Sequence, residues 1–211
     1  MTLIEKRLPL LCAALMITAV LQGCATLNKE ECLVADWRLI GYQDGVAGKS
    51  ASMVGSYRED CAKHAVVPDL AAYQAGRMEG LLEYCRPDNG YRLGESGKGY
   101  PVVCSSTTEV DLRAAYEAGR DVYLASSEVN RTHALVKKQR QLLQSLEHER
   151  EHKLSELVMD GIRSEQRVLL LYQIHELEPE IADVEAEISA LEHELQDQRA
   201  QLDQLRRNSS Y

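Results

Sequence analysis

The sequence predicts a mainly α-helical chain. A small disulfide-bonded helical domain with glycine-bearing helix repeats continues into a long antiparallel helical hairpin, a coiled coil. Three observations predict it. Composition changes near residue 125: before it lie 12 of the 13 glycines, all six cysteines and eight of the ten tyrosines. After it come long stretches of Leu, Glu, Gln and Arg, the composition of long helices. Apolar residues in that second part recur in alternating steps of three and four. A glycine motif returns three times in the first part. The expected divisions are 1–23, a leader; 24–125, the helical domain; and 126–211, the hairpin, with its turn near 160–164.

The leader comes first. Lys6 and Arg7 precede an apolar run from Leu8 to Leu21, which stops at Gly23-Cys24. The run falls short of the ~20 residues that span a bilayer as a helix, but has the length of a signal-peptide core. Leu21-Gln22-Gly23-Cys24 looks like the lipobox of bacterial lipoproteins, with Gln22 a less usual residue in it. Cys24 is thus the expected site of lipid attachment, palmitate included, after cleavage before it. More than one acyl chain would be needed for a stable hold, because a single chain binds a membrane only marginally. Ala25 follows in place of an aspartate that would resemble an inner-membrane retention signal, so the expected location is the periplasmic side of the outer membrane.

That compartment interprets the cysteines. Beyond Cys12 and Cys24 there remain Cys32, Cys61, Cys85 and Cys104, an even number in an oxidising space. Four cysteines allow three connectivities, and the sequential pairs Cys32–Cys61 and Cys85–Cys104 are favoured here. No C-x-x-C spacing points to zinc, so no metal is expected. The net charge is −9. The leader's one Glu, one Lys and one Arg sum to +1, so its removal leaves −10. An acidic chain argues against nucleic acid as a partner.

Three segments carry the repeat: WRLIGYQDG from Trp37, YQAGRMEG from Tyr73 and YEAGRDVY from Tyr116. The last two share Tyr-x-Ala-Gly-Arg. Glycines four apart share one helix face and leave a strip that another backbone can approach. Tyr73 and Arg77, like Tyr116 and Arg120, are also four apart, which permits ring–guanidinium stacking. These four residues are the candidate ligand or partner surface, since the guanidinium fork suits carboxylates and phosphates. Asp69 is the expected cap of the second copy's helix, and Thr107 or Thr108 of the third. Residues 86–104, rich in glycine and turn formers, read as a disulfide-closed loop with a short strand hairpin.

The stretch GYQDGVAGKS at 41–50 ends like a phosphate-binding loop. Such a loop needs a glycine five residues before Gly48, where Gln43 stands. Gly41, Gly45 and Gly48 therefore read as a close-packing strip, and Lys49-Ser50 as the chain leaving that helix.

In the second part the periodic positions are Ile174, Leu177, Ile181, Val184, Ile188, Leu191, Leu195, Gln198, Leu202 and Leu205. A weaker seam runs Val122, Val129, Val136, Leu143, Arg150 and Leu157, with Ala125, Thr132, Gln139, Leu146 and Lys153 as its partner positions. Asp160-Gly161 is a turn signal, and Ser164 can cap a new helix. Residues 174–195 hold eight acids and no Lys or Arg. Folding back near residue 162 brings Lys137, Lys138 and Arg140 beside Val184 to Glu187. Pro179 lies inside the second arm, where an unbroken helix costs ~3 kcal/mol. His148 and His152 are four apart but lack the glutamate placement of a zinc motif.

An ordered set of residues carries a resemblance. It comprises the lipobox, Cys32, W-x-x-x-G-Y-x-D-G from Trp37, Y-x-x-G-R-x-x-G-L-x-x-Y-C ending at Cys85, G-Y-R-L-G-x-x-G-x-x-Y from Gly90, Cys104, and Y-x-x-G-R from Tyr116. This set resembles bacterial lipoproteins of the domain of unknown function 2799 family, over Cys32 to Arg120. The resemblance implies export and lipidation, and brings no known activity, ligand or catalytic residue. The expected function is that of a non-enzymatic envelope lipoprotein without a cofactor. The membrane would hold it through its lipid, and the hairpin would meet a protein partner or itself. The alternative is a binding module for a peptidoglycan or lipopolysaccharide fragment, with the hairpin as spacer.

Overall fold

The computed structural model describes residues 27–104, 109–209 and 211. The leader, Cys24, Thr107 and Thr108 lie outside them. Among the described residues the secondary structure is helical, with no strand. The chain divides into two compact units, up to Tyr84 and from Cys85.

In the first unit, α1 spans Lys29–Leu33, α2 Trp37–Val46, α3 Met53–Ala62 and α4 Leu70–Tyr84. Each start has a local cause. Asn28 caps α1 through a reciprocal box with Glu31. The Asp36 carboxylate accepts from the Leu39 amide at the head of α2. The Asp69 carboxylate accepts from the Ala72 amide at 2.9 Å, the expected cap of α4. The core gathers Cys32, Trp37, Tyr57, Cys61 and Tyr73. A disulfide joins Cys32 to Cys61, with Cα atoms 5.5 Å apart. Closing such a loop contributes roughly 3 kcal/mol.

In the second unit, α5 spans Pro87–Glu95, α6 Glu109–Leu157 and α7 Ser164–Asn208. Pro87 opens α5 at its first turn, where the missing N–H costs nothing. The segment expected to be a loop with a strand hairpin is therefore a helix. Its glycines pack against a neighbour, and that tertiary contact overrides their low helix propensity. Cys85 bonds to Cys104. Both disulfides follow the sequential pairing.

The helix of the third glycine copy runs on without a break into the first arm of the hairpin, through residue 125. The two compact units divide at Tyr84/Cys85. Arms of 49 and 45 residues are roughly 70 Å long at the helical rise. On α7 the buried positions are Leu170, Ile174, Leu177, Ile181, Val184, Ile188, Leu195 and Leu202. Against them α6 buries Val122, Thr132, Val136 and Leu146. The acidic arm does meet basic residues, but displaced: Arg140 pairs with Glu192, not with 184–187. The cause lies at the turn. Residues Ser164 to Leu169 are exposed and Leu170 is the first buried, so α7 begins beyond the point where its seam engages. Arg163, not Ser164, occupies the cap position. The helix passes through Pro179 unbroken. Pro179 and His175 face solvent, so water can satisfy the His175 carbonyl that loses its partner.

Candidate functional site

The two units contain the same device, a parallel helix pair in backbone contact. In the first, α2 lies on α4. A Cβ added to Gly41 would sit 2.0 Å from the Tyr73 carbonyl oxygen, and one on Gly76 would sit 1.9 Å from that of Arg38. One on Gly80 would sit 2.1 Å from the Tyr42 carbonyl oxygen. No side chain fits there. The contact advances in the same direction along both helices, so they run parallel. Helix α2 then stops in a Schellman motif: the Lys49 amide donates to Asp44 O, and the Gly48 amide to Gly45 O, both at 2.9 Å. Gly48 takes φ +65°, and the Tyr84 ring covers it. Arg77 donates to the Lys49 carbonyl through Nε at 3.2 Å and Nη2 at 2.7 Å.

Between these helices lies a buried carboxylate. Asp44 is 2 % exposed. Its Oδ2 accepts from the Tyr73 hydroxyl at 2.8 Å and the Tyr57 hydroxyl at 2.9 Å. Its Oδ1 is 2.9 Å from Lys49 Nζ. A buried charge persists only when paired and hydrogen-bonded, and here α3, α4 and the exit loop each supply a partner to the α2 carboxylate. Burial pushes both tyrosine hydroxyls above their ordinary range, and the Asp44 carboxylate adds to it. The hydrogen bond that Lys49 donates to Asp44 raises the Lys49 ammonium. The cluster thus holds its protons as donors to the carboxylate, an arrangement that locks three segments together.

The second unit repeats the pair with α5 on α6. Gly90-Tyr91-x-x-Gly94-x-x-Gly97-Lys98 copies Gly41-Tyr42-x-x-Gly45-x-x-Gly48-Lys49. A Cβ on Gly119 would lie 2.1 Å from the Tyr91 carbonyl oxygen, as Gly80 does from that of Tyr42. The Lys98 amide donates to Leu93 O and the Gly97 amide to Gly94 O. Gly97 takes φ +71° under the Tyr123 ring. The Tyr116 hydroxyl donates to the Lys98 carbonyl at 2.9 Å, the task of Arg77 in the first unit. These matches equate Tyr73 with Leu112, Gly76 with Ala115, Arg77 with Tyr116, Gly80 with Gly119 and Tyr84 with Tyr123. The carboxylate has no copy: Leu93 stands for Asp44 and Leu112 for Tyr73.

The repeat read from Tyr-x-Ala-Gly-Arg is therefore out of register by one helical turn. It aligns Gly76 with Gly119, whereas the contacts align Gly80 with Gly119. The expected stacking within Tyr73/Arg77 and Tyr116/Arg120 is replaced by other contacts. Arg120 lies 5.3 Å over the Tyr123 ring, and Arg113 lies 4.4 Å over that of Tyr100. Tyr100 and Tyr116 meet edge to face at 5.2 Å. Of the candidate surface, Tyr73 is fully buried. It presents nothing to a ligand because its hydroxyl serves Asp44. Arg77 and Tyr116 each hold a loop carbonyl. Asp44, Tyr57 and Lys49 were not singled out from the sequence. The signal was present in the doubled G-Y-x-x-G-x-x-G-K, at which Asp44 and Leu93 differ.

The fold defines a class: tandem glycine-strip helix pairs, with one disulfide in each unit. The family model described as protein of unknown function (DUF2799) matches residues 36–121. Residues 36–121 carry this domain. The matched segment takes in both helix pairs and ends before the hairpin proper. No curated protein and no solved structure matches the chain.

Proposed function

We propose that this protein is a lipid-anchored, non-enzymatic envelope lipoprotein held through Cys24 on the periplasmic side of the outer membrane. Its hairpin meets a protein partner. The observation that carries the reading is the hairpin itself: two arms of roughly 70 Å, an extended helical surface of the kind that engages protein partners. The Leu21-Gln22-Gly23-Cys24 boundary supports the anchor. Two disulfides within the small domain support an oxidising compartment.

The test has two arms. Cys24→Ser should abolish incorporation of labelled palmitate and release the chain from the membrane fraction. Removal of residues 127–211 should eliminate partner crosslinks while leaving palmitate incorporation intact. A truncated lipoprotein with full cellular function would instead favour the helical domain as a binding module, with the hairpin as spacer.

A further inference from the structure

The hairpin tip departs from the rest of the coiled coil. Val168 to Tyr172 reads VLLLY, five apolar residues in a row on a helix. Only Leu170 of the five is buried. A helix that is apolar all the way round belongs inside a structure, not in water. Val158 and Met159 in the turn and Val168, Leu169, Leu171 and Tyr172 on α7 are each more than half exposed. Between the turn and α7 opens a cleft of about 500 Å³, with Met159, Ile162, Leu169 and Leu170 in its wall. Leu169 and Tyr172 are three residues apart and both exposed, so they form an apolar ridge on α7.

We propose that this tip is a self-association surface, packed end to end and reciprocally against the tip of a second copy of this chain. The inference rests on the hairpin as the interaction element, and goes further by naming the contact and its occupant. Two features select a second copy. First, the patch is self-complementary. It carries both a cleft and a ridge to fill one, and charges of both signs, Arg163 and Arg167 with Glu156, Asp160 and Glu165. A two-fold contact requires that one surface hold both halves of each interaction. Second, residues 174–195 hold eight acids and no Lys or Arg. Copies lying side by side would set these stretches against one another, whereas an end-to-end contact keeps them apart. Asp160 and Glu165 also disfavour an anionic lipid surface as the occupant.

The test uses the full chain in its own cells, with a photo-crosslinking phenylalanine derivative in place of Tyr172 or, as a control, of Ser145 on the outer face of α6. The expected result is an adduct of twice the chain mass from position 172 and none from 145, with both halves identified as this chain. Leu169→Asp and Met159→Asp should each lower that adduct at least tenfold. Met159 lies outside the helices, so its variant keeps the test valid if Leu169→Asp loses helicity. Adducts with a different protein or with lipid, equal yields from both positions, or no adduct would overturn the proposal. A different protein at position 172 would do so while leaving the hairpin as a partner-binding element. Loss of partner contacts on truncation is read separately.

Discussion

The two helix pairs share a backbone plan and differ in what fills it. In the first unit a Cβ on Gly41 would meet the Tyr73 carbonyl oxygen at 2.0 Å, while in the second the matching distance, Gly90 to Leu112 O, is 2.8 Å. Farther along, the pairs converge: a Cβ added to Gly80 or to Gly119 would lie 2.1 Å from the opposing carbonyl oxygen. The second pair is more open at the end where Leu112 and Ala115 replace Tyr73 and Gly76. Leucine closes that space with apolar contact alone. The first pair instead encloses a charge, and the charge requires α3 to bring Tyr57 and the exit loop to bring Lys49. Glycine strips can thus set a backbone geometry while the residues beside them decide whether the core is ionic or apolar.

Five changes would break or sharpen this comparison, and Trp37, the single tryptophan and part of the first unit's core, reports four of them. The largest effect is expected from Asp44→Leu. It leaves two buried hydroxyls without their acceptor and should cost roughly 3–5 kcal/mol in urea unfolding followed by Trp37 fluorescence. Leu93 already stands at the matching site of the second unit, which shows that the backbone accepts leucine there. Gly76→Ala comes next, at about 1–3 kcal/mol or more, because its Cβ would press on the Arg38 carbonyl. Ala115→Gly, at the matching position, should cost only about 1 kcal/mol, chiefly through helix propensity, read as loss of helix by circular dichroism.

The fourth is pH. Tyr57, Tyr73 and Lys49 all titrate higher in the folded chain than their ordinary values. Their contribution is therefore complete below about pH 10 and lost as pH rises through the raised values. The Trp37 transition should weaken above about pH 10 in the native chain and lose most of that dependence in Asp44→Leu. An identical alkaline slope in both would contradict the role given to the cluster. The smallest effect is a gain. Gly55 in α3 has nothing within 4 Å of an added Cβ, so Gly55→Ala should stabilise the first unit by about 0.5–1 kcal/mol.

Much of this architecture was legible in the sequence. The three-four spacing located the seam of α7 because that arm's buried face is nearly uniform in leucine, isoleucine and valine. Asp160-Gly161 located the turn, and Gly161 takes φ +82° there. Spacing alone could not set the register of the arms, because the exposed start of α7 slides Arg140 to Glu192. The glycine strip was recognised, but its copies were matched by identity of Tyr, Gly and Arg. Chemistry in this fold follows position on the pair: an arginine and a tyrosine do the same work at 77 and 116. Helix α5 was missed because three glycine and asparagine residues in nine, behind Pro87-Asp88, look like a loop until a neighbour packs on them. The Asp44 cluster needs Tyr57 and Tyr73 brought from 13 and 29 residues away, a distance that local patterns do not reach.

The most direct test of the central claim is a double-mutant cycle on Asp44→Leu and Tyr73→Leu, read by Trp37 fluorescence in urea. It rebuilds in the first unit the leucine pair that the second unit carries. If the two pairs share one plan with interchangeable fillings, the double variant recovers much of the stability that either single change loses. The coupling should then be about 2 kcal/mol. Losses that simply add would show that the units are not equivalent at these positions, and would contradict the account.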